Sequence, residues 1–192
     1  MALIYFIFLA VFIGHRLFVK SYEPLTMIHE LTDPRTKNMI EIFTDGASSG
    51  NPGPGGYGAI LRSGKHYKEL SEGYRKTTNN RMELMAVIKG LEALKSLNQS
   101  VMIYSDSKYV IDSIEKRWVH GWVLKGFKDK KNKDLWLRYL EVSKLHTIKF
   151  TWVRGHNGHP ENERCDELAV AAGKQKDLLI DAVFEMENAK KV

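Results

Sequence analysis

Four carboxylates sit in settings that could bring them to one site: Asp45 after IEIFT, Glu83 in TTNNRMEL, Asp106 after VMIYS, and Asp166 in GHNGHPENERCDELA. Asp45 and Asp106 each follow a short apolar, β-branched run, so each should emerge where a buried strand reaches the edge of a sheet. Glu83 and Asp166 fall on helical patterns able to lean over those strand ends. Four acids cannot share a pocket as bare anions, because each raises the pKa of the others until protons or cations neutralise them. Donors that are all hard oxygens favour Mg²⁺, with Mn²⁺ as a substitute. The set reads as a two-metal nuclease centre.

The elements that must position these acids follow from periodicity. Ile40 to Thr44 reads as a strand, and SSGNPGPGGYG after it reads as turns. Tyr57 to Arg62 and Tyr67 to Tyr74 continue an antiparallel meander. Leu84, Val87, Ile88, Leu91 and Leu94 then recur at helical spacing behind Thr77, Thr78, Asn79 and Asn80, which offer N-cap side chains. Val101 to Ser105 is a fourth strand, Tyr109 to Ile114 a second helix, Leu135 to Leu145 a third, and Thr147 to Val153 a fifth strand. Pro160 suits the first turn of the helix that carries Asp166. The order βββαβααβα predicts a mixed α/β domain whose three antiparallel strands come first.

Composition sets the bounds. A chain of 192 residues suits one domain with a sizeable core and some tail. A single cysteine, Cys165, excludes an internal disulfide framework and fits a reducing, cytoplasmic setting; its helical neighbours predict a small packed side chain. The net charge is +6, and from Lys116 to Arg138 eight Lys/Arg stand against two acids. That local surplus points to an anionic polymer as partner.

Residues 1–38 read differently. Leu3 to Ile13 is an unbroken apolar run, short of the roughly 18 to 20 residues that span a bilayer. No basic stretch precedes it, which disfavours a secretory signal. The expected organisation is an extension outside the fold over 1–38, a catalytic domain over 39–175 and a C-terminal tail over 176–192. A membrane anchor in residues 1–19 is the alternative.

TDGASSGNPGPGGYGAIL, TTNNRMELMA, SDSKYV and WVRGHNGHPENERCDELA closely resemble the motifs of bacterial type I ribonuclease H enzymes. The likeness runs in the expected order from about Ile40 to Gly173, too long for chance. It implies a ribonuclease H-like fold with a five-stranded mixed sheet flanked by helices. It also implies hydrolysis of the RNA strand of RNA–DNA hybrids, leaving 5′-phosphate and 3′-hydroxyl ends. The implied catalytic residues are Asp45, Glu83, Asp106 and Asp166, holding two Mg²⁺ ions with Asp45 bridging, and His156 on the catalytic loop. Any one of these acids alone would read as a solvated surface group; four in matching motifs reverse that reading.

The same likeness implies substrate contacts. Asn51, Asn79 and Asn80 match residues that read the hybrid's minor groove, where the 2′-hydroxyl distinguishes RNA. Turn and cap chemistry accounts for the same asparagines. Lys108 stands where glutamine is common and cannot accept a hydrogen bond. Lys76, Thr78 and Asn132 match the pocket for a DNA-strand phosphate, with lysine in place of arginine at 76. Trp118 should pack on DNA sugars beside a basic handle from Lys125 to Lys133, whereas Trp122, Trp136 and Trp152 should anchor the core. The chain is expected to act as a monomer with no obligate protein partner. A non-catalytic hybrid-binding module is the competing class, and the complete acid quartet argues against it.

Overall fold

Alternation along IEIFTDGAS builds the central strand β1 (Ile40–Ser48), with Ile42 turned to one face and Phe43 to the other. The computed structural model describes residues 39–155 and 157–189. β1 pairs antiparallel with β2 (Gly53–Ser63), which pairs antiparallel with β3 (His66–Thr77). On its other side β1 runs parallel to β4 (Ser100–Ser105), and β4 runs parallel to β5 (Thr147–Trp152). The order β3-β2-β1-β4-β5 is the expected five-stranded mixed sheet.

Helices cover both faces. α1 (Asn79–Glu92) lies over Ile42 and buries Leu84, Val87, Ile88 and Leu91, four of the five residues whose spacing predicts it; the fifth, Leu94, lies just past the helix end. Trp136 of α4 (Lys133–Ser143) completes that core. On the opposite face α5 (Pro160–Gly173) sets Cys165 against Phe43 and Ile60. The Cys165 thiol is fully buried and donates to the Phe43 carbonyl. Burial, followed by the charge of Asp45, pushes its pKa up, so it is the inert packed residue expected.

Three features differ from the sequence reading. The glycine-rich stretch after Gly50 enters β2 at Gly53 rather than turning throughout. Its glycines serve close packing: a Cβ on Gly58 would lie 2.1 Å from the Cys165 carbonyl oxygen, so α5 reaches the strand backbone only because none is there. Between β4 and β5 the chain forms three helices, α2 (Lys108–Glu115), α3 (Trp118–Leu124) and α4, where two were expected. α3 is short, and Arg117 in the left-handed region breaks it from α2. The stretch after residue 175, expected as a tail, also packs on the domain. Leu179 bridges to Tyr74, and α6 (Ala182–Ala189) follows.

Among the described residues no helix is long and apolar enough to cross a membrane. The apolar run of residues 3–13 lies outside the described residues.

Candidate active site and nucleic-acid groove

The alternation of β1 puts Asp45 on the same face as Phe43, the side that α5 covers with Asp166. Gly46 faces the other way, toward α1. Its backbone presses so close to Met82 and Glu83 that a Cβ on it would stand 2.2 Å from the Glu83 nitrogen. Strand and helix therefore meet backbone to backbone, and Glu83 is brought beside Asp45, which lies within β1 rather than at the strand end expected of it, because the strand continues to Ser48. Asp106 follows the last residue of the neighbouring parallel strand β4. Its carboxylate lies against Gly155, where an added Cβ would come within 2.3 Å of Oδ2. The loop between β5 and α5 reaches this acid because residue 155 has no side chain.

Asp45 is only 8% exposed. Burial, then the charge of Asp106, raise its pKa to about 8, with Asp166 and Glu83 pushing the same way; the Gly46 amide, donating at 2.6 Å, opposes them. Burial also raises Glu83, with a further push from Asp106. Two donors offset that rise: the Ser107 hydroxyl, and Asn79 Nδ2 at 2.8 Å from Oε1. Ser107 also accepts from the Val110 amide at 3.3 Å, so one side chain caps α2 and holds Glu83.

Among the described residues no three acidic, histidine or cysteine side chains close into a ready-made metal shell. Glu83 is instead turned to Asn79 and Ser107. The donor chemistry nevertheless fits a hard divalent cation: every group is a carboxylate, and Asp45 feels the charge of the other three. A cation would relieve that repulsion. His156 lies outside the described residues.

Asn51, Thr78, Asn80, Trp118 and Asn132 line one groove of about 580 Å³ together with Lys130 and Lys131. The other residues expected to touch substrate lie elsewhere. Asn79 turns to Glu83, Lys76 is exposed outside the groove lining, and the Lys108 ammonium lies 5.2 Å from the centre of the Trp152 ring. Trp152 is 47% exposed and donates from Nε1 to the Asp106 carbonyl, so it is not the core anchor expected of it. A central-face residue on an edge strand has no second layer to cover it; here the indole braces the acid's backbone and carries Lys108. Trp136 is fully buried and Trp122 packs against it, as expected of both.

Sequence reasoning missed Arg81. It is 1% exposed, and its guanidinium grips Asp134 at 2.8 and 2.9 Å and Asp181 at 2.7 Å twice. It also reaches Asn132 Oδ1 at 3.4 Å, while Asn132 Nδ2 donates to the Tyr109 hydroxyl at 3.1 Å. One arginine thus ties α1, the start of α4 and the approach to α6. The signal was an arginine on the apolar side of a helix start, legible only with its partners 53 and 100 residues away.

The family model described as RNase H matches residues 37–174. The chain is 56% identical over 147 residues to the ribonuclease H of Desulforamulus reducens, covering 74% of this chain and 92% of that protein. Among solved structures it resembles LC9-RNase H1, with a TM-score of 0.64, 31% identity and coverage of 79% and 81% of the two chains. It also resembles LC11-RNase H1 in complex with an RNA/DNA hybrid, with a TM-score of 0.51, 25% identity and coverage of 69% and 95%.

Proposed function

The chain belongs to the ribonuclease H family, and on that premise we propose that it is an endonuclease whose carboxylate cleft cuts the RNA strand of RNA–DNA hybrids. The observation that supports this reading is the convergence on buried Asp45 of the charges of Asp106, Asp166 and Glu83, one from each remaining motif. Asp45, Glu83, Asp106 and Asp166 would hold divalent cations, two Mg²⁺ ions in this reading. Bound there, such ions supply an activated water and stabilisation of the departing 3′ oxygen, so the cut leaves 5′-phosphate and 3′-hydroxyl ends.

The chain's own residues prepare that chemistry. Asn79 and Ser107 fix the Glu83 carboxylate, and Gly155 lets the catalytic loop lie on Asp106. His156, next on that loop, relays a proton in this reading. Asn51 and Asn80 offer amide donors and acceptors to the 2′-hydroxyls and base edges of the minor groove. Thr78 and Asn132 take a phosphate of the uncut DNA strand, and Trp118 packs on its sugars. Lys108, parked on Trp152 beside Asp106, serves the strand near the cut as a donor only. Lys76, exposed near the start of α1, adds charge to the DNA side. The domain is proposed to work as a cytoplasmic monomer, with residues 1–38 outside the catalytic fold.

The test is cleavage of end-labelled substrates of one sequence as hybrid, duplex DNA, duplex RNA and each single strand. Cutting confined to the RNA strand of the hybrid is expected, and equal cutting of duplex DNA would overturn the substrate assignment.

A further inference from the structure

The groove that gathers Asn51, Thr78, Asn80 and Asn132 has a wall that no motif marks. α6 contributes Phe184, Glu187 and Asn188 to its lining. This helix is held firmly in place. Leu179 exchanges backbone hydrogen bonds with β3, accepting from Arg75 at 2.9 Å and donating to Gly73 at 2.8 Å. Asp181, buried ahead of the helix, accepts from Thr77 as well as Arg81. Glu185 accepts three bonds from Arg75, and the Arg81 guanidinium lies 5.4 Å from the Phe184 ring centre.

The charge on this wall has the wrong sign for its neighbours' task. Lys130 and Lys131 line the groove and attract phosphate, yet Glu187 and Asp129 line it too, so the formal charges cancel. Glu187 is exposed and forms no ion pair with any described residue. Unlike Asp129, which sits on the basic loop itself, Glu187 is brought to the groove by a separately anchored helix.

We propose that Glu187 is an electrostatic brake in the groove for the uncut DNA strand, repelling its phosphates so that the hybrid is held less tightly and released sooner. This rests on the hybrid-cleaving reading above and assigns the C-terminal helix a part in substrate affinity. None of the four acids lines this groove, so the brake acts on binding and leaves the chemistry alone.

The test is anisotropy of a labelled RNA–DNA hybrid in EDTA, across a salt series, for wild type, Glu187→Gln and Glu141→Gln. Glu141, exposed near the end of α4 and outside the groove lining, controls for the loss of one negative charge. Glu187→Gln should tighten binding about two- to fivefold at low salt. It should steepen the log–log salt slope by less than about 0.9, while Glu141→Gln follows wild type. Single-turnover cleavage by Glu187→Gln should match wild type, and a large loss of that rate would overturn the brake by placing Glu187 in the chemistry. If Glu187→Gln matches wild type in both affinity and slope while wild type binds hybrid, the brake is overturned alone. If wild type binds no hybrid, the brake falls together with the function it rests on.

Discussion

Gly46 and Glu83 meet backbone to backbone, with room for no side chain between them: a Cβ on Gly46 would stand 2.2 Å from the Glu83 nitrogen and 2.4 Å from the Met82 carbonyl carbon. Both obstacles are main chain, so no rotamer change relieves the clash. The second residue of the Asp-Gly pair is therefore what lets α1 deliver its acid beside Asp45 on β1.

Gly46→Ala should push α1 off the strand. We expect a loss of about 1–3 kcal/mol in stability, as for other overpacked sites, and a fall in turnover as Glu83 moves from Asp45. Urea unfolding and single-turnover cleavage check the two parts separately.

Asp45→Asn should stabilise the metal-free protein at alkaline pH while removing activity. The folded-state pKa of Asp45 is raised to about 8, so the native state holds its proton where the unfolded chain has lost it. Its contribution is therefore present below the ordinary carboxylate range and lost as pH rises toward about 8. Melting temperatures in EDTA should fall with pH across that window in wild type, and the fall should be shallower in Asp45→Asn.

Arg81→Met should cost about 3–5 kcal/mol, because it leaves Asp134 and the buried Asp181 without their shared cation. Loosening of α6 and the start of α4 should accompany it. Chemical denaturation gives the first, and amide exchange over residues 178–189 and 132–136 gives the second.

The basic segment should divide by position. Lys130 and Lys131 line the groove, whereas Lys128 and Lys133 do not. Replacing the first pair with alanine should raise KM and lower the salt slope by somewhat less than about one unit for each lysine–phosphate pairing removed. Replacing the second pair should change both less, and kcat should hold in each case. Cleavage rates across a salt series decide it.

The parts legible in the sequence were those with local signatures. Strand runs, the helical spacing from Leu84 to Leu91 and the motif order predict the sheet and the position of each acid. What escaped depends on partners far along the chain. Gly56 and Gly58 look like turn formers until α5 is laid across them, and the buried purpose of Arg81 exists only once Asp134 and Asp181 fold onto it. Residues 178–189 are rich in apolar side chains, yet α6 buries none of its own, so their place on the domain rests on the bridge from Leu179 to β3 and on ion pairs that periodicity cannot reveal. Trp152 looked like core by residue type, yet its strand is the sheet's edge.

In the proposed function the carboxylates around Asp45 cut RNA with the help of divalent cations. Its most direct measurement is single-turnover cleavage of a hybrid labelled on the RNA strand, with Mg²⁺ or EDTA, by wild type and Asp45→Asn, alongside hybrid binding of each in EDTA. Wild type should cleave in Mg²⁺ alone, Asp45→Asn should be more than about a hundredfold slower, and both should bind hybrid similarly. Cleavage by wild type in EDTA, or a near-normal rate from Asp45→Asn, would contradict it.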